Sequence, residues 1–126
     1  MNDFNFVLFT GHKGKNTVAI SISKPGILSF TSGTIKKFNI PNYNGAQLLF
    51  DKSKNTIAIK LYQEQTKDMF KFKLRKDNKG AFIACKSFLS EYELDNEKYF
   101  GKKGMPEEIE HPELGKLIIL KLDDLS

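Results

Sequence analysis

The sequence predicts an α+β, β-rich fold: curved antiparallel sheets from a duplicated strand-helix unit, with two short helices. Three observations predict it. Apolar and polar residues alternate in short runs punctuated by Gly, Pro and Asn, which is the pattern of half-buried strands. Only the stretches around 31–38 and 85–92 read as helix. Residues 17–42 and 71–96 also repeat one pattern at an offset of 54 positions. Val18 and Ile20 match Phe72 and Leu74, Gly26 matches Gly80, Leu28 matches Phe82, Ile35 matches Leu89, Phe38 matches Tyr92 and Ile40 matches Leu94. Further on, Ile57-Ala58-Ile59-Lys60-Leu61 matches Ile118-Ile119-Leu120-Lys121-Leu122 at an offset of 61. Each copy must bury its apolar face, and the nearest partner is the other copy. The 126 residues are therefore expected to form a single domain, 1–126, with an internal repeat of about 4–62 and 69–122 around a shared core.

Taken in order, Phe4 to Phe9 alternates weakly, and the glycine-bearing turn Thr10 to Asn16 leads into a second strand, Thr17 to Ser23, as a hairpin. In that second strand Val18, Ile20 and Ile22 should face the core, with Thr17, Ala19, Ser21 and Ser23 outward. Pro25-Gly26 turns the chain into a third strand, Ile27 to Phe30. Thr31 or Ser32 can cap a helix running to Phe38, with Ile35 and Phe38 inward and Pro41-Asn42 as the stop. Ala46 to Phe50 and Asn55 to Tyr62 flank the polar turn Asp51 to Lys54 as another hairpin. Met69 to Lys76 alternates apolar and basic residues more regularly than any other segment. After the Asp77 to Gly80 turn come a strand, Ala81 to Ala84, and a second helix, about Cys85 to Tyr92. Gly101 to Gly115 reads as an exposed acidic loop, and Lys116 to Leu122 as a closing strand.

Charge is distributed unevenly. Residues 1–80 hold 14 Lys or Arg against 5 Asp or Glu, whereas residues 81–126 hold 6 against 10. Such asymmetry favours a basic surface that meets a polyanion, with the acidic part facing elsewhere. Nineteen Lys against one Arg, with 11 Phe, is also what an AT-rich coding sequence would write, so position must carry the case. Sequence-specific reading of the major groove leans on Arg paired with guanine. With Arg75 alone, phosphate-led and largely sequence-independent binding is expected. No secretory signal or membrane-length apolar run is visible, and Cys85 has no disulfide partner, so an intracellular protein is expected.

The candidate interface follows from the alternation. With Phe70, Phe72 and Leu74 inward, Lys71, Lys73 and Arg75 should form an outward row. Antiparallel pairing with the preceding strand would set Lys60 and Tyr62 beside that row. Cations beside an aromatic ring suit single strands, whose phosphates follow the charge while bases stack on the ring. Lys13 and Lys15 could extend the phosphate path. The plainer account is that these lysines solubilise a sheet face or protect its edge. Catalysis is not expected: Cys85 would need a positioned base, His12 and His111 are the only histidines, and neither belongs to a metal-ligand cluster. No metal, cofactor or small-molecule substrate is expected.

A ββββα unit over 46–92, a partial unit over 4–38 and a completing pair of strands resemble the Whirly-like group of positive-coactivator, Whirly and Pur-alpha families. Lys13-Gly14-Lys15 and Lys79-Gly80-Ala81-Phe82 are the local echoes, while a tryptophan and an arginine-rich strand are missing. The resemblance implies homodimers or pseudo-dimers that bind single-stranded DNA or RNA across basic and aromatic sheet faces, as in replication, recombination or transcription. A second likeness competes. Gly26-Ile27-Leu28 through Ile35 to Ile40, followed by a hairpin ending at Ile57 to Lys60, is similar to the swapped-hairpin fold of AbrB, MazE and MraZ, which are double-stranded-DNA regulators. That family's Arg after the glycine is Ile27 here, and its Pro before the helix is absent. A structural protein-interaction module using the acidic 101–115 segment is the reading from another class.

Overall fold

The computed structural model describes residues 17–64, 69–75 and 80–126. The Phe4 to Phe9 strand and its turn lie outside them. The chain runs through β1 (Ile20–Ser23), β2 (Ile27–Phe30), α1 (Ser32–Phe38), β3 (Gly45–Asp51), β4 (Thr56–Tyr62), β5 (Phe70–Lys71), β6 (Lys73–Leu74), β7 (Ala81–Ala84), α2 (Lys86–Glu91), β8 (Lys103–Gly104), β9 (Glu107–His111) and β10 (Gly115–Lys121). Sheet I has the order β6-β7-β2-β1-β8 and sheet II the order β5-β3-β4-β10-β9. Every ladder between these strands is antiparallel. The protein is thus β-rich α+β, with two antiparallel sheets and two short helices.

Alternation in the strands builds the core. Ile20, Ile22, Leu28, Phe30, Ala81 and Ile83 from sheet I join Ala46, Ile57, Ile59, Ile118 and Leu120 from sheet II in one buried cluster, closed by Ile35, Phe38 and Leu89 from the helices. Burying each large aliphatic side chain contributes about 1.5–3 kcal/mol. The α1 cap is Thr31, whose hydroxyl accepts from the Thr34 N–H. Thr34 is itself fully buried, and its Oγ1 lies 2.9 Å from both the N–H and the carbonyl of Ala19. That clamp draws Ala19 inward, against the outward placement that alternation predicts. The helix stops at Asn39, which is left-handed at φ 56°, before Pro41 is reached.

Three elements depart from expectation. The 69–76 strand is broken at Phe72: β5 pairs with β3 in sheet II, and β6 with β7 in sheet I. Phe72 packs edge-on against Phe30 with centroids 5.3 Å apart, while Leu74, expected inward, is exposed. β4 pairs with β3 and β10, leaving no edge for the expected pairing with the basic strand. The acidic 101–115 segment is not a loop: it supplies β8 and the edge strand β9. Charged side chains on an edge discourage further pairing without preventing the strand itself. Phe82, aligned with Leu28 by the repeat, does not share its inward place. Ala81 and Ile83 are buried against Phe30 and Leu28, which turns Phe82 to the outer face. A one-residue change of register exchanges the two faces of a strand.

Each sheet takes one hairpin from each half of the chain. β1-β2 meets β6-β7 in sheet I, and β3-β4 meets β9-β10 in sheet II. The hairpin glycines are pressed against the opposite half. A Cβ on Gly26 (φ +125°) would lie 2.6 Å from Lys86 Cβ, and one on Gly80 (φ +148°) would lie 2.9 Å from the Phe30 carbonyl oxygen.

Candidate nucleic-acid interface

Among the described residues the strands of sheet I contain no Asp or Glu, and their charged residues are Lys73 on one edge strand and Lys103 on the other. Cross-strand partners share a face. Lys73 stands opposite Phe82, Phe82 opposite Ser29, Ser29 opposite Ser21, and Ser21 opposite Lys103. These five residues form one row across the outer face, about 19 Å long at the usual strand spacing. The serines and Phe82 are half-buried, and both lysines are exposed. Lys73 Nζ lies 6.0 Å from the centroid of the Phe82 ring, and the Arg75 guanidinium carbon 5.3 Å. Arg75 is set there by its N–H, which donates to the Gly80 carbonyl at 2.8 Å. An exposed cation over a ring is worth about 0.5–1 kcal/mol. Both cations can therefore exchange the ring for a phosphate at small cost.

Lys71, Lys73 and Arg75 are all exposed, but they do not share one face. Lys71 belongs to sheet II, and Lys73 and Arg75 flank the Phe82 side of sheet I, so the three follow the corner where the chain passes between sheets. Among the described residues none of the three is paired with a carboxylate. The ion pairs found there are Lys116–Glu108 at 3.6 Å and Lys121–Glu107 at 3.5 Å, both joining β9 and β10. Tyr62 is not beside the cations as expected. Gly45 of β3 stands between it and Lys71, and a Cβ on Gly45 would lie 3.0 Å from Met69 Cε. The Tyr62 hydroxyl is engaged by Gln47 Oε1 at 2.7 Å, and Lys60 Nζ sits 5.2 Å from the ring centroid. The structure thus brings Lys60 and Tyr62 together and separates them from Lys73 and Arg75. Lys13 and Lys15 lie outside the described residues.

The ring beside the cations is Phe82, which repeat matching aligns with Leu28 but does not place on either face. A signal was available in Ala81-Phe82-Ile83-Ala84, where either alternate pair could be buried. The outer side of sheet II has a different character. It forms a concavity of about 690 Å³ with Leu49, Ala58, Leu117 and Ile119 among its lining, where Asp51, Glu107, Asp123 and Asp124 outnumber Lys54 and Lys121. Asp51 accepts from Ser53 Oγ and the Lys54 N–H, which hold its carboxyl below the usual range.

Cys85 and His111 are each held by their own surroundings. Burial pushes the Cys85 thiol up to about 11, opposed by a hydrogen bond with the Leu28 backbone, so it carries no thiolate at neutral pH. His111 Nδ1 accepts from the N–H groups of Glu113 and Leu114, both at 3.1 Å, and serves its own turn. Among the described residues no three His, Cys, Asp or Glu side chains gather to hold a metal. No helix among them is long and apolar enough to cross a membrane. No family model, curated protein or solved structure matches this chain.

Proposed function

We propose that this protein is a non-enzymatic nucleic-acid-binding protein that holds single strands, largely independently of sequence, on the outer face of sheet I. The observation that carries the reading is Phe82, a half-buried ring on a sheet face whose described strands carry no carboxylate, with an ammonium and a guanidinium within 6.0 Å of its centroid. Unpaired bases offer a π-face to such a ring whatever their identity, and the cations meet the phosphates. Lys71 extends the charge around the corner onto sheet II, in the row that leads across Gly45 to Tyr62, and Lys60 and Tyr62 form a patch apart from Lys73 and Arg75. Replication, recombination and transcription all expose such strands.

A second reading is a double-stranded-DNA regulator. It is favoured by the sharing of each sheet between hairpins from the two halves, which fits the swapped-hairpin likeness. The Whirly-like arrangement fits less well, since the four consecutive strands it implies over 46–84 are divided between two sheets. Fluorescence anisotropy with labelled dT12 and a 12-base-pair duplex, at two salt concentrations, separates the readings. The single-strand reading expects tighter binding of dT12, weakening with salt. Preference for the duplex supports the regulator, and absence of binding to both supports a protein-interaction module.

A further inference from the structure

We infer that the bound strand crosses sheet I perpendicular to its β-strands, from Phe82 to a second phosphate station at Lys103. The inference rests on the single-strand reading proposed above and adds its path and far contact. Lys103 lies in the acidic C-terminal part of the sequence, where net charge hides it. The ladders place it in one row with Phe82, three strands away, or about 14 Å at the usual spacing. That distance spans about four nucleotides at the stacked rise of one strand. Between the two stations lie Ser29 and Ser21, flanked on the same face by Ser23, Ile27 and Ala84. The two serines in the row are too small to obstruct a backbone lying across the sheet, and the half-buried Ile27 stands beside the row rather than in it. Serine hydroxyls can both donate to phosphate oxygens and accept from a ribose hydroxyl. Among the described residues no carboxylate on the sheet I strands repels the chain along the way.

The two stations act by different physics, and that makes the path testable. Phe82 contributes by stacking, which salt screens little, and Lys103 by displacing counterions, which salt opposes directly. The experiment is an anisotropy titration of fluorescein-labelled dT12 and rU12 with the full chain at 50, 100 and 200 mM salt. Lys103→Ala should lower the magnitude of the log–log salt slope by about 0.7. Phe82→Ala should weaken binding about tenfold to a hundredfold with an unchanged slope, and Phe82→Tyr should restore it. Lys116→Ala, whose lysine is paired with Glu108, should alter neither quantity. Circular dichroism establishes that each variant is folded. If the unsubstituted protein binds and Lys103→Ala keeps its slope, the strand does not cross the sheet and the inference is overturned. If Phe82→Ala retains full affinity while folded, the stacking station is wrong. Failure of the unsubstituted protein to bind either oligonucleotide removes the parent reading itself. Tighter binding of rU12 than dT12 would assign the serine row to the ribose hydroxyl, and equal binding would assign it to phosphate.

Discussion

Replacing Gly26 by alanine should destabilise the protein severely, because two unfavourable effects act at one atom. The backbone there has φ +125°, a conformation that costs a residue with a side chain about 1–3 kcal/mol. The new methyl would also lie 2.6 Å from Lys86 Cβ and 2.7 Å from Lys86 Cα, which belongs to the backbone entering α2 and cannot swing aside. Overpacking of this kind costs about 1–3 kcal/mol more. The reduced freedom of the unfolded chain returns about 0.4–1 kcal/mol. The net loss is about 1–6 kcal/mol, which for a chain of this length lowers Tm by roughly 4–24 °C. Displacement of the turn would also strain the Cys85 N–H bond to the Gly26 carbonyl, now 2.9 Å long. Thermal unfolding followed by circular dichroism measures the effect. A Tm within about 2 °C of the unsubstituted protein would show that the turn is not pressed against the other half of the chain, and the interleaving of hairpins would have to be abandoned.

Gly80→Ala should act in the same direction through its contact with the Phe30 carbonyl, and a stable Gly80→Ala protein would count against the same arrangement. Thr34→Val keeps the shape of a fully buried side chain but removes its contacts with Ala19, so a loss of about 1–3 kcal/mol is expected in urea unfolding. The Cys85 thiol, whose folded pKa is raised to about 11 by burial, should be unreactive to disulfide reagents at pH 8 until the protein unfolds. Its stabilising contribution is complete below the ordinary thiol range and is lost as pH rises toward 11, so Cys85→Ala should flatten the stability profile between pH 9 and 11. Lys121→Ala removes an exposed ion pair with Glu107 and should change stability by less than about 1 kcal/mol.

Much of the fold is legible because burial imposes period-two alternation on strands and one-turn spacing on helices. The pattern in Ile57-Ala58-Ile59 identifies β4, and Thr31 with Ile35 and Phe38 marks α1. Pairing is less legible. Nothing in Met69-Phe70-Lys71-Phe72-Lys73 announces that the chain changes sheets at Phe72, because alternation reports which side a residue faces and not which neighbour its strand bonds. The β9 strand is hidden for a related reason: at an edge, Glu107, Glu108 and Glu110 can remain in water while only their backbone pairs. In the candidate interface, Lys73 and Arg75 are legible from alternation. Phe82 is not, since Ala81-Phe82-Ile83-Ala84 offers an apolar residue to either face and only the partner strand decides.

The proposed binding depends on cations at the corner between the sheets contacting the phosphates of a single strand. Its most direct test is the salt dependence of dT12 binding by the unsubstituted protein and by the combined variant Lys71→Ala, Lys73→Ala and Arg75→Ala. Three phosphate contacts contribute a slope of about −2, so raising salt from 50 to 200 mM should cost the unsubstituted protein roughly twentyfold more affinity than the variant. Equal slopes for two folded proteins, or no binding by the unsubstituted one, would contradict it.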